Sequence, residues 1–286
     1  MANFIIEDIK NIFKGKDTIL SQIIVLNVAV FIVFNIIQNF YPIKFWFMLP
    51  GNLLGLITKP HTIVTYMFLH ASFFHILFNM LWLYYMGQIL IEYLGTKKFS
   101  AAYFLGGIAG GLAFVLFSNI VSGINGLGSL GLVGASGAVM AVVFAVATLL
   151  PEFTIRLFLI GNVKMKYLAA GALILTSVLD FSVNTGGKIA HFGGALFGFV
   201  YIKYLQKGND LGEPFYKVVN FFKYLFSSKP KKMKVTHRNS NPKHSAAAPK
   251  AKQEVIDRIL DKISKSGYDS LTKEEKEILF KMSKEN

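Results

Sequence analysis

The chain has 286 residues, 53% of them apolar, and a formal net charge of +14 at pH 7. It contains no cysteine, which excludes a disulfide framework, a thiolate metal site and a cysteine nucleophile. The mean hydropathy of +0.48 is too high for an ordinary soluble protein. Because the apolar residues fall in blocks of about 20, the length that crosses a hydrocarbon core of roughly 30 Å, the composition indicates several membrane spans.

The apolar blocks predict an all-α polytopic membrane protein with a six-helix transmembrane bundle over residues 21–206. The predicted spans are Ile23–Tyr41, Phe73–Tyr93, Phe99–Ile120, Leu132–Leu150, Tyr167–Phe181 and Ile189–Leu205. Residues 1–20 are predicted to form a cytoplasmic segment with an amphipathic surface helix and no cleaved signal peptide, because the basic region, apolar core and cleavage site are missing. The partly apolar loop at residues 42–65 is predicted to lie in the membrane interface.

The basic residues predict the orientation, because cytoplasmic loops of membrane proteins carry an excess of Lys and Arg. They concentrate in the N-terminal segment, after the second and fourth spans and in the tail, whereas the other loops hold only Lys44, Lys59 and Lys188. Both termini are therefore predicted to be cytoplasmic, in a multi-pass protein of the cell membrane. The second, fourth and sixth spans then start at the outer face. The lipid bilayer is the expected environment, and no nucleic-acid partner is expected.

The composition changes at the end of the predicted bundle. Residues 207–252 are basic and rich in Pro, Ser and Ala, which predicts a disordered linker whose basic residues either contact anionic headgroups or are solvated. Residues 253–286 show helical periodicity on both sides of Gly267, and Thr272 with Glu275 forms a capping box for the second helix. The chain is therefore predicted to end in a small helical hairpin, with too little core to be very stable alone.

Strongly polar side chains inside membrane spans are costly and therefore indicate function. Ser136 and His191 lie in the first turns of the predicted fourth and sixth spans, which both begin at the outer face. His75 and Asn79 lie at the same depth on the second span, and their i, i+4 spacing places them on one helical face. Three separate spans thus bring a serine, two histidines and an asparagine to one level of the membrane.

This combination of residues suits acyl transfer. A serine hydroxyl attacks a carbonyl group when a base, usually imidazole, takes its proton. The tetrahedral oxyanion that forms needs hydrogen-bond donors that are already in place. The amide of Asn79, the ring of His75 and the backbone N–H of Ser136 are candidate donors.

Four glycines lie beside these polar residues. Gly134 and Gly137 leave room for a substrate backbone around the serine. Gly194 and Gly198 form a G-x-x-x-G pattern one turn beyond the histidine, which lets two helices approach closely. A serine and a histidine on different helices require such a close approach.

Other interpretations stay open at this point. The small residues of the G-A-S-G stretch also suit plain helix packing. Four histidines are candidate metal ligands: His61, His70, His75 and His191. No HExxH motif or carboxylate pair supports such a site, so no metal ion and no cofactor are predicted. Asp180 is interpreted as a helix-end anchor rather than as the acid of a triad, and a transporter is disfavoured because no inverted repeats are visible.

Three stretches of the sequence together resemble the rhomboid intramembrane serine proteases: HASFFHILFNMLWLYYMG (His70–Gly87), GASG (Gly134–Gly137) and AHFGGALFG (Ala190–Gly198). The resemblance covers roughly residues 20–206 and implies a six-helix bundle of rhomboid type. It implies that Ser136 is the nucleophile and His191 its base, in a dyad without a carboxylate. It also implies that His75 and Asn79 support the oxyanion, and that the substrates are single-pass membrane proteins.

The chain departs from the family pattern at two places. Many relatives carry a Trp-Arg pair in the first loop, where this chain has His61 and Thr62. Well-studied relatives have a tyrosine four residues after the nucleophile, where this chain has Met140. Neither departure removes a reacting group, so the predicted function is an intramembrane serine endopeptidase. The alternative is a catalytically inactive rhomboid-like protein that binds membrane helices.

Overall fold

Helices make up most of the described chain, as the sequence predicts. The structure, a computed structural model, describes residues 18–37, 43–125, 131–157, 161–177, 185–226 and 248–283. The chain divides into two units, residues 1–227 and 228–286. The helices of the first unit are α1 (Thr18–Ile37), α2 (Lys44–Phe47), α3 (Leu53–Thr58), α4 (Thr62–Thr65), α5 (Phe73–Asn125), α6 (Ser136–Leu149), α7 (Met165–Ser177), α8 (Thr185–Gln206) and α9 (Glu213–Phe226). The second unit contains α10 (Ala248–Ser266) and α11 (Lys273–Ser283).

The longest helix, α5, consists of two helices joined at Gly95, whose backbone adopts φ 80° and ψ 164°. Glycine adopts this conformation readily because it has no Cβ. The predicted second and third spans are thus joined by a bend at a single residue. Among the described helices, Ile19–Ile36 in α1 and Phe73–Ile120 in α5 are long and apolar enough to cross a membrane. The apolar helices α6 and α7 are shorter.

The core of the first unit forms around α6, which packs against both α5 and α8. Its sequence, SGAVMAVVFAVATL, consists almost entirely of small and β-branched apolar residues, and ten of its 14 residues are buried. A helix that is apolar on all sides is typically surrounded by other elements. By contrast, α1 exposes apolar side chains such as Leu26, Ile32 and Ile36, as expected of a helix at the edge of a membrane domain.

The two helices α6 and α8 cross with their backbones in contact. A Cβ built on Gly194 of α8 would overlap the carbonyl oxygen of Gly137, and one built on Gly198 would overlap that of Ala141. A side chain at either glycine would therefore push the helices apart. Membrane helices commonly pack through small residues, because the hydrophobic effect does not drive their association within lipid.

The structure corrects the predicted starts of the two spans that carry Ser136 and His191. The fourth helix begins at Ser136 rather than Leu132, and the sixth begins at Thr185 rather than Ile189. His191 therefore lies about two turns into α8 instead of in its first turn. The reason is that the polar stretch before the apolar block also continues the helix.

The prediction of helices alone is also incomplete, because two short antiparallel strand pairs occur. β1 (Leu49–Pro50) pairs with β2 (Gly131–Leu132), and β3 (Thr154–Leu157) pairs with β4 (Gly161–Lys164). The first pair joins the predicted interfacial loop to the segment that leads into α6. That loop also exposes the apolar side chains of Phe45 and Trp46.

The predicted linker at residues 207–252 is wrong over its first part, where Glu213–Phe226 forms α9. Phe215 stacks on Phe104 of α5 with ring centroids 5.7 Å apart. The Tyr216 hydroxyl lies 3.1 Å from that of Tyr201 in α8. Aromatic side chains hold α9 against α5 and α8 within the first unit, and the basic composition of the surrounding stretch obscured this helix in the sequence. Residues 227–247 of the predicted linker lie outside the described residues, and residues 248–252 are also helical, as part of α10.

The predicted capping box of the second unit is confirmed. The Thr272 N–H donates to Glu275 Oε2 at 2.8 Å, and the Glu275 N–H donates to the Thr272 hydroxyl at 3.3 Å. Glu275 also accepts a hydrogen bond from Lys262 Nζ of α10 at 2.8 Å. These bonds, the one from Lys262 above all, lower the pKa of the Glu275 carboxyl. The first helix of the hairpin starts at Ala248, earlier than predicted.

Candidate active site

A cavity of about 410 Å³ lies between α5, α6, α7 and α8. Four residues predicted from the sequence line it: Ser136, His191, His75 and Asn79. The rest of the lining consists of Phe74, Phe78, Trp82, Val139, Met140, Ala172, Leu175 and Thr176. A mostly apolar cavity with a few convergent polar groups is typical of a ligand-binding or active site.

Ser136 is the first residue of α6. The chain reaches it through Gly134, whose φ of 129° lies in a region that L-residues rarely adopt. The Gly134 N–H donates to the carbonyl oxygen of Tyr66 at 3.0 Å, which holds this turn in place. A Cβ on Gly134 would also lie 2.8 Å from Cε1 of His75. Both the backbone conformation and the available space therefore require glycine two residues before the helix begins.

His75 and Asn79 lie on the face of α5 that borders the cavity. The Ala71 N–H donates to His75 Nδ1 at 3.4 Å, so the neutral ring carries its proton on Nε2. The Nε2 of His75 lies 2.9 Å from a Cβ position built on Gly134. The Oγ of Ser136 lies 3.6 Å from the same position. The ring N–H and the hydroxyl therefore both border the space beside Gly134. Asn79 Nδ2 donates one hydrogen to the His75 carbonyl oxygen at 2.7 Å, and the amide carries a second hydrogen that suits another acceptor.

His191 belongs to α8, and its Nδ1 lies 3.1 Å from the Oγ of Ser177, the last residue of α7. Ser177 is buried, with 6% of its surface exposed. Ser177 could not be predicted from the sequence, because a lone serine near the end of the predicted fifth span belongs to no motif. Next to His191, a Cβ on Gly137 would lie 3.2 Å from the carbonyl oxygen of Ala190. The backbones of α6 and α8 thus touch beside the serine and the histidine.

Apolar side chains of α5 and α7 form two sides of the cavity. Phe74 and Phe78 of α5 and Leu175 of α7 are each more than half exposed, so these sides border the outside of the unit. Met140 of α6, the residue at the departure from the family pattern, is buried and packs with Ala172. The cavity therefore joins a half-buried polar end to an apolar surface that faces outward.

The remaining histidines of the first loop do not line the cavity. The Nε2 of His61 lies 2.8 Å from the carbonyl oxygen of Trp46. The ring of His70 packs edge-on against that of His75, and burial, with a smaller effect from His75, lowers the pKa of His70 to about 3. His70 is therefore neutral at physiological pH. Within the described ranges no group of three or more His, Cys, Asp or Glu could hold a metal ion, and Asp180 falls outside those ranges.

The fold and the cavity define a mainly helical protein with long apolar helices and with a serine and a histidine in one site. The Rhomboid domain family matches residues 58–208, more than half of the chain. The chain belongs to the rhomboid family, and the resemblance predicted from its three motifs is confirmed. Members of this family are in general intramembrane serine proteases. A family of unknown function, DUF6576, matches residues 247–285, and no curated protein matches the chain.

Proposed function

We propose that this chain is an active intramembrane serine endopeptidase that cleaves peptide bonds in or near transmembrane segments of other membrane proteins. One observation carries the proposal: Ser136, His191, His75 and Asn79 belong to three different helices and line one cavity. If Ser136 served only helix packing, nothing would require the other three side chains to border the same space.

The proposed reaction begins with attack by the serine. His191 Nε2 takes the hydroxyl proton of Ser136 while Oγ forms a bond to the carbonyl carbon of the substrate peptide. The π electrons of the carbonyl group move onto its oxygen, which gives a tetrahedral intermediate. His191 then transfers the proton to the leaving amine as the C–N bond breaks, and an acyl group remains on Ser136.

Three donors are proposed to stabilise the negative oxygen of the intermediate. They are the Nε2–H of His75, the second amide hydrogen of Asn79 and the backbone N–H of Ser136. The backbone donor has no partner within α6 because it lies in the first turn of the helix, whose dipole also favours negative charge there. Donors that are held in place before the substrate binds need no reorganisation during the reaction.

Water completes the proposed cycle. His191 takes a proton from a water molecule as its oxygen attacks the acyl carbon, and Ser136 regains the proton when the acid product leaves. We propose six spans, formed by α1, the two parts of α5, α6, α7 and α8, in the cell membrane with both termini cytoplasmic. The excess of Lys and Arg in the loops assigned to the cytoplasm supports this orientation. Water then reaches the cavity from the outer face, where single-pass membrane proteins are the proposed substrates.

A fluorophosphonate probe separates this proposal from an inactive relative that only binds membrane helices. Such a probe reacts with an activated serine, so we expect it to label the full-length protein at Ser136, as mapped by mass spectrometry. The Ser136→Ala variant is expected to remain unlabelled. Folded wild-type protein that takes up no probe would instead favour the helix-binding alternative.

Replacement of Asn79 by alanine is expected to lower kcat by about 10²–10³-fold, because one oxyanion donor is lost. The measurement is cleavage of a single-pass reporter substrate in proteoliposomes. Asn35→Ala is the matched control, since Asn35 donates the same kind of bond to the Phe31 carbonyl oxygen at 2.7 Å and does not line this cavity. Equal activity of the two variants would remove Asn79 from the proposed mechanism.

A further inference from the structure

His191 has a neighbour that no motif predicts, the hydroxyl of Ser177. Its Oγ lies 3.1 Å from His191 Nδ1, within hydrogen-bonding distance. The two residues belong to different helices, α7 and α8, so the contact is set by the tertiary fold rather than by sequence proximity. Ser177 is 6% exposed, which keeps water from competing strongly for this bond.

The position of Ser177 argues against a role as the nucleophile. His191 and Ser136 line the cavity, whereas Ser177 does not. A substrate carbonyl in the cavity therefore meets the Ser136 hydroxyl, while the Ser177 hydroxyl is buried on the Nδ1 side of the imidazole. Because a neutral imidazole carries one proton and one lone pair, a partner at Nδ1 determines what Nε2 can do.

We propose that Ser177 is a positioning residue for His191, an inference that rests on the proposed dyad. Its hydroxyl oxygen accepts the Nδ1–H of His191. This bond fixes the tautomer, so that the Nε2 lone pair is available to Ser136, and it restrains rotation of the ring.

The residue at the departure from the family pattern, Met140, does not supply this restraint on the ring. Met140, on the cavity side of α6, offers neither an aromatic ring to stack on the imidazole nor a hydrogen-bond donor. When the Ser136 proton moves to Nε2, the ring becomes an imidazolium, and the Ser177 oxygen continues to accept from Nδ1. Ser177 itself gains and loses no proton in this step, so the charge of the pair changes only at His191.

The test compares two nearly isosteric side chains, Ser177→Thr and Ser177→Val, in the full-length protein in proteoliposomes. Threonine keeps the hydroxyl and valine replaces it with a methyl group, so any steric effect is shared. We expect Ser177→Val to lower kcat by about 10-fold, at the lower end of effects seen when the partner of a functional histidine is removed. We expect KM to stay unchanged and Ser177→Thr to retain most of the wild-type kcat.

Two controls complete the experiment. Ser100→Ala removes another buried hydroxyl, which donates to the Thr96 carbonyl oxygen at 2.8 Å away from the cavity, and is expected to leave kcat unchanged. The fluorophosphonate probe is expected to label Ser177→Val at Ser136, more slowly than wild type.

Equal kcat values for the threonine and valine variants would overturn the positioning role, as would a change confined to KM. Loss of labelling in Ser177→Ala with retained labelling in Ser136→Ala would make Ser177 the nucleophile and overturn it as well. Failure of the dyad itself has a different signature, which is full cleavage by Ser136→Ala.

Discussion

Replacement of Ser136 by alanine is expected to lower cleavage of a single-pass reporter substrate by at least about 10³-fold. The hydroxyl oxygen is the atom that forms the acyl-enzyme in the proposed mechanism, and alanine offers no nucleophile in its place. Removing the nucleophile from a serine protease commonly leaves only the small rate contribution of the oxyanion donors and substrate binding. The measurement is product formation in proteoliposomes, followed by gel and mass spectrometry.

A matched variant separates chemistry from folding. Ser118 is a buried serine of α5 that does not line the cavity, so Ser118→Ala is expected to cleave at the wild-type rate. Both variants are expected to show the thermal transition of the wild-type protein in detergent. Retained cleavage by Ser136→Ala would refute the proposed nucleophile.

The second large effect is expected from Gly194→Ala. A Cβ at this position would overlap the carbonyl oxygen of Gly137, a backbone atom that cannot rotate away. The helices α6 and α8 must therefore separate, which we expect to reduce stability by about 1–3 kcal/mol. Because Ser136 precedes Gly137 and His191 lies one turn before Gly194, the same separation is expected to reduce cleavage strongly.

Gly171→Ala is the control for this prediction. Gly171 also lies within a helix, α7, but a Cβ there would meet no heavy atom within 4 Å. Since alanine is the better helix former, this variant is expected to be as stable as wild type or slightly more stable. Thermal unfolding in detergent and cleavage in proteoliposomes measure both variants, and equal behaviour of the two would contradict the close helix crossing.

The sequence was sufficient to predict four of the residues that line the cavity, namely Ser136, His191, His75 and Asn79. His75 and Asn79 share a helical face because of their i, i+4 spacing, and that inference needs no tertiary information. The shared level of Ser136 and His191 in the membrane was predicted from the order of the spans and the distribution of Lys and Arg, and it stays a prediction. The roles of these residues in catalysis stay predictions until the variants are measured.

Other features could not be predicted, because they depend on contacts between distant parts of the chain. A role for Ser177 follows only from its contact with the imidazole of His191, which belongs to a different helix. Leu49 pairs with Leu132, which joins a loop to the segment before α6. Both strands are too short to show an alternating pattern in the sequence. The helix α9 was obscured for another reason, since a basic segment that follows it dominated the composition of the predicted linker.

The length of α6 has a consequence for where a peptide bond could be cut. With 14 residues and a rise of 1.5 Å per residue, the helix is only about 21 Å long. Its last residue, Leu149, is followed closely by Glu152, which forms ion pairs with Lys164 and Lys166 and marks the inner boundary of the bilayer in the proposed orientation. Ser136 would then lie about 9 Å beneath the outer edge of a 30 Å hydrocarbon layer. A substrate helix would have to unwind below the headgroups to present an extended backbone at that depth, so sequences that fray early near their outer end are favoured.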